Sequence, residues 1–63
     1  MKPKNIRVAA TEEGDLEASF GLGVTTKWVL MDRRTGRVID TNVKRGSDAF
    51  RWLVNAARVH VAL

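Results

Sequence analysis

The absence of cysteine from a chain of only 63 residues is the tightest constraint on what it can become. A chain this short buries roughly 60% of the surface that its unfolded form exposes, so one small core leaves it marginally stable. Disulfides, bound metal and oligomerisation are the usual supplements. Without thiols, disulfides and thiolate metal ligands are both closed, and association becomes the most economical way to add buried area. The expectation is a single small α/β domain over residues 1–63 that forms a homo-oligomer, a dimer or larger.

Hydrophobic residues make up 44% of the chain and charged ones 29%, a balance that belongs to a folded domain rather than a disordered tail. No apolar run approaches the ~20 residues of a membrane span. The opening Met1-Lys2-Pro3-Lys4-Asn5 is basic, with no hydrophobic segment of signal-peptide type behind it. A cytoplasmic protein with no membrane partner is expected.

The formal net charge of +4 raises nucleic acid as a partner, because Lys and Arg that neutralise phosphates release counterions. The basic residues are spread along the chain, however, with only the doublets Arg33-Arg34 and Lys44-Arg45 as concentrations. The acids cluster instead, at Glu12, Glu13, Asp15 and Glu17. A phosphate-binding face therefore requires Lys27, Arg33, Arg34 and Arg37 to share one surface near a hairpin tip.

Residues 5–11 (NIRVAAT) alternate Ile6, Val8 and Ala10 against Arg7, Ala9 and Thr11, which predicts a strand with one face in a core. Residues 12–23 hold three glycines and four acids with few apolar side chains, and read as a long loop or a loop with one short turn of helix. Residues 25–32 (TTKWVLMD) carry apolar side chains on both parities, the pattern of a strand covered on both faces, with Met31 in the core. Asp32 to Gly36 has hairpin chemistry, and residues 37–43 (RVIDTNV) form the returning strand.

Ser47 and Asp48 suit a helix start, since the hydroxyl accepts from a free amide and the carboxylate favours the positive end of the dipole. The helix should run to about Arg58, with Phe50, Leu53, Val54 and Ala57 on its core face and a third apolar row at Trp52, Ala56 and Val59. An apolar surface that wide calls for a second layer, which another subunit can supply. Residues 59–63 alternate and predict a further strand, with His60 as a structural residue within it.

The run IRVAATEEGDLEASFG, a strand leading into an acidic loop that closes on Phe20-Gly21, resembles the opening of the dinitrogenase iron-molybdenum cofactor family. VLMDRRTGRVIDTNVKRG is similar to that family's hairpin, and GSDAFRWLVNAARVHVAL to its helix and next strand. The resemblance implies a truncated ribonuclease-H-like α/β motif: a mixed sheet in the order strand, long loop, β-hairpin, helix, strand, with one helix packed on it. It further implies a non-catalytic carrier, holding an iron-molybdenum or iron-sulfur cluster transiently, with a cofactor-assembly protein as partner.

Iron clusters prefer thiolate or imidazole, and the chain offers only His60 and two Met thioethers, so direct ligation is not expected and no metal ligands are assigned. An anionic cofactor can still be gripped by backbone amides and cations. The candidate cofactor-binding residues are Thr11, Glu12, Gly14, Phe20 and Gly21 in the loop, with Lys44, Arg45, Gly46 and Ser47 at the helix N-terminus. Glu12, Glu13 and Asp15 read as solvated loop charge rather than a two-metal catalytic centre. No phosphate loop, nucleophile elbow or His-Glu metal spacing occurs, so the chain is expected not to be an enzyme. The second functional class is a small basic nucleic-acid-binding or structural interaction protein.

Overall fold

The structure, a computed structural model, describes residue 3 and residues 5–62. Strands β1 (Arg7–Ala10), β2 (Leu16–Phe20), β3 (Lys27–Met31) and β4 (Val38–Thr41) precede a helix, α1 (Asp48–Ala62). Each strand pairs antiparallel with the next, in the order β1-β2-β3-β4, which makes β1 and β4 the edges of the sheet. The connections at 11–15, 21–26 and 32–37 are too short for the crossover that a parallel pair needs. The sheet is therefore antiparallel throughout, not mixed.

Two expected elements are replaced. Residues 16–20 form a strand where a long loop was expected: Leu16, Ala18 and Phe20 alternate with Glu17 and Ser19, and this period of two outweighs the acids and glycines around it. Residues 59–62 continue α1 instead of beginning a strand. Val61 falls four residues after Ala57 and packs on the core cluster, so the helical spacing wins over the alternation. Leu63 lies outside the described residues. His60 is accordingly an exposed residue of the last helical turn.

Cross-strand register sorts the side chains into two faces. Val8, Ala18, Val29 and Thr41 form one row under the helix, and Ala10, Leu16, Met31 and Val38 the next. Leu53, Val54 and Ala57 close over them, and Leu16, Val29, Met31 and Leu53 are fully buried. On the other face Trp28 and Leu30 are only half-buried. No second layer covers them among the described residues, so β3 is covered on one face and not on both.

The ends of the elements are fixed as their residues dictate. Asp32 accepts through Oδ1 from the Arg34 amide at 2.8 Å and the Thr35 amide at 3.4 Å, and Gly36 takes φ +73° to complete the hairpin. The Ser47 Oγ accepts from the Phe50 amide at 3.2 Å and donates to the Lys44 carbonyl at 2.6 Å, capping α1 as expected. Gly21, at φ +99°, turns the chain from β2 toward β3. A Cβ there would stand 2.9 Å from the Thr25 carbonyl oxygen, so the loop closes only around glycine.

Candidate anion-binding groove

An open groove of about 820 Å³ runs between the β3–β4 hairpin and one flank of α1. Val38 and Ile39 of β4 and Phe50 and Val54 of the helix supply its apolar surface, and Arg37, Arg45 and Arg58 its cations. The three arginines come from three segments: the end of the hairpin turn, the approach to the helix and the helix itself. Arg58 belongs to the row Phe50-Val54-Arg58, in which the spacing of four stacks side chains along one flank. Arg45 lies over the Phe50 ring, 5.7 Å from its centroid, a cation–π contact that holds it at the groove.

Asp32 is the single acid lining this groove, and its Oδ1 is committed to the amides of its own turn. Arg33 and Arg34 are exposed at the adjoining hairpin tip. Lys27 begins β3, at the opposite end from the tip, roughly 13 Å away along the strand. The basic surface therefore comprises Arg33, Arg34 and Arg37 of the expected set, without Lys27. Arg45 and Arg58 join it. Their separation in sequence hides this grouping, and only the helical spacing from Phe50 to Arg58 hints that Arg58 shares a side with Val54.

The residues expected to hold a cofactor are divided among three places. Thr11, Glu12 and Gly14 form the β1–β2 turn, where the Thr11 amide donates to the Asp15 carbonyl at 2.8 Å and the Asp15 amide to the Thr11 Oγ1 at 3.1 Å. Phe20 and Gly21 sit at the other end of β2, lining a separate groove of about 390 Å³. The Gly21 carbonyl accepts from the Arg7 guanidinium at 2.9 Å there. Lys44, Arg45, Gly46 and Ser47 lead into α1, and of these Arg45 lines the arginine groove. The Phe20-Gly21 loop and the helix approach thus line different grooves.

Among the described residues no three His, Cys, Asp or Glu side chains come together as a metal site. No helix there is long and apolar enough to cross a membrane. No protein-family model matches the chain, and no curated protein or solved structure matches it either.

Proposed function

We propose that the chain is a non-catalytic binding module that holds the phosphate backbone of a nucleic acid in the arginine groove. The observation that carries this reading is the convergence of Arg37, Arg45 and Arg58 on one groove whose only acid is already bonded to its turn. Guanidinium groups present forked donors that match phosphate oxygens, and the hairpin-tip Arg33 and Arg34 extend the same basic track. An extended peptide is a poorer fit, because β4 presents a broken edge for strand addition. Its register slips at Ile39, and the Asp40 Oδ1 accepts from the Thr41 amide at 2.8 Å.

Fluorescence anisotropy with labelled duplex and single-stranded DNA across a salt series tests the proposal. Three to five phosphate contacts give a slope of log K against log salt of about −3 to −4.5 on a duplex. Replacing Arg37, Arg45 and Arg58 together by Ala should weaken binding on the order of 100-fold and flatten the slope by about 3. Binding that is absent at low salt, or that survives the triple substitution unchanged, rejects the reading.

A second reading follows from the family resemblance, that of a ribonuclease-H-like carrier for an anionic iron-molybdenum or iron-sulfur cluster. It is favoured by the place of Arg45, one of the residues that reading names, in the cationic groove. Anaerobic titration with a precursor cluster separates the two. Iron that co-elutes with the protein, and is lost when Lys44 and Arg45 are both changed to Ala, supports the carrier. Protein that elutes without iron rejects it.

A further inference from the structure

We infer that the β2–β3 loop, residues 21–26, docks on the surface of an anionic lipid bilayer, with Leu22 and Val24 entering its interfacial layer. Leu22 is 82% exposed and Val24 wholly so, on the turn that joins the two central strands. A single apolar side chain in water needs no explanation. Two of them almost side by side at a loop tip do, because the short chain has few apolar residues to spare from its core.

The loop is built to lose its water. Leaving water is costly for a backbone carbonyl that has no other partner. Here the Leu22 carbonyl accepts from the Thr25 amide at 3.1 Å and from its Oγ1 at 2.6 Å, and the Gly23 carbonyl from the Thr26 amide at 3.1 Å and its Oγ1 at 2.7 Å. Both threonine hydroxyls are thereby turned inward as donors. The Gly21 carbonyl accepts from the Arg7 guanidinium at 2.9 Å, and the Thr26 carbonyl from the Asn42 amide group at 2.8 Å. These bonds, with the tight path at Gly21, fix the tip so that little conformational entropy is lost on docking.

Charge selects the partner. Arg7, opposite Ser19, and Lys27, opposite Phe20, flank the end of β2 from which the loop springs, and both are exposed. The Arg7 bond to a neutral carbonyl leaves its charge uncompensated. Leu22 and Arg7 also line the groove of about 390 Å³ together, which sets an apolar side chain beside a cation. The segments that meet at this end of the sheet, 3–7, 20–28 and 41–47, contain no Asp or Glu, whereas Glu12, Glu13 and Asp15 lie at the opposite end of β1 and β2. An anionic bilayer offers negative headgroups above an apolar layer, and so matches cations set behind an apolar tip. A nucleic-acid backbone gives Leu22 and Val24 nothing apolar to bury against. A convex tip of two side chains also falls far short of the roughly 800 Å² per partner of a stable protein interface.

Co-sedimentation of the whole chain with vesicles of equimolar phosphatidylserine and phosphatidylcholine, against vesicles of phosphatidylcholine alone, tests the docking. Binding to the mixed vesicles is expected, weaker on the neutral ones and weaker as salt rises. Leu22→Ser combined with Val24→Ser should reduce it by at least on the order of tenfold, with the far-ultraviolet circular dichroism of the folded chain retained, since both sites are solvent-facing. Lys27→Glu should reduce it on the order of tenfold as well. Arg37→Ala combined with Arg58→Ala, in the arginine groove and away from the loop, should leave it within about twofold. This last pair separates the inference from the nucleic-acid reading, whose failure would leave vesicle binding untouched. No binding to the mixed vesicles, equal binding to neutral ones, or binding that the serine pair leaves intact overturns the inference. So does a loop-dependent dimer that ignores vesicles, which would make a second copy the partner.

Discussion

At the β4 edge the strand is interrupted by a register slip at Ile39, the Thr41 amide is taken by the neighbouring Asp40 carboxylate, and arginines crowd the groove alongside. At the β1 edge the register with β2 is unbroken from Arg7 to Ala10. An exposed strand edge is a template for pairing, and proteins commonly blunt it with bulges and charge. In this chain one edge carries those devices and the other does not. The contrast teaches that a sheet of four short strands can divide its labour, with one edge turned to side-chain chemistry and the other left open to backbone pairing.

Several substitutions probe this division. The largest effect is expected at the loop that anchors the start of β1 through Arg7 and Gly21. Gly21→Ala places a Cβ against the Thr25 carbonyl at a left-handed backbone angle, and should destabilise the fold by about 2–3 kcal/mol. In a domain of this size that lowers the melting temperature by roughly 10 °C or more, readable by thermal circular dichroism. A melting curve unchanged by this substitution would mean that the β1 side does not depend on the tight path at Gly21.

A smaller effect is expected at the helix wall of the groove. Ser47→Ala removes the acceptor for the Phe50 amide and should lower stability by about 1 kcal/mol, measured by urea unfolding. Phe50 carries Arg45 on its ring, so the same variant should also weaken nucleic-acid binding slightly. The smallest effect on stability is expected at the β4 edge. Asp40→Ala frees the exposed Thr41 amide at a loss of no more than about 1 kcal/mol. Its informative readout is association: removing a device that blunts β4 should make the chain self-associate more readily, measured by sedimentation equilibrium.

Much of the architecture is legible in the sequence where local chemistry decides it. The Asp32–Gly36 hairpin, the Ser47 cap, the burial of Met31 and the helix face of Leu53, Val54 and Ala57 all follow from spacing and side-chain type. β2 is harder to see, because Glu17 and the acids before it make a half-exposed strand resemble a loop, although Leu16, Ala18 and Phe20 keep the period of two. The end of α1 is ambiguous for a different reason. In residues 59–62 an alternating pattern and a helical one share the same apolar positions, and contact of Val61 with the core selects the helix. The arginine groove is legible only in pieces: Arg37 and Arg45 stand out in the sequence as members of two separate candidate sites, and they meet each other and Arg58 only through the tertiary path of the chain.

Because β1 and β4 lie at opposite edges of the sheet, the open strand edge and the arginine groove do not compete for surface. Three strand spacings, about 14 Å, separate them, so a partner engaged at one leaves the other accessible.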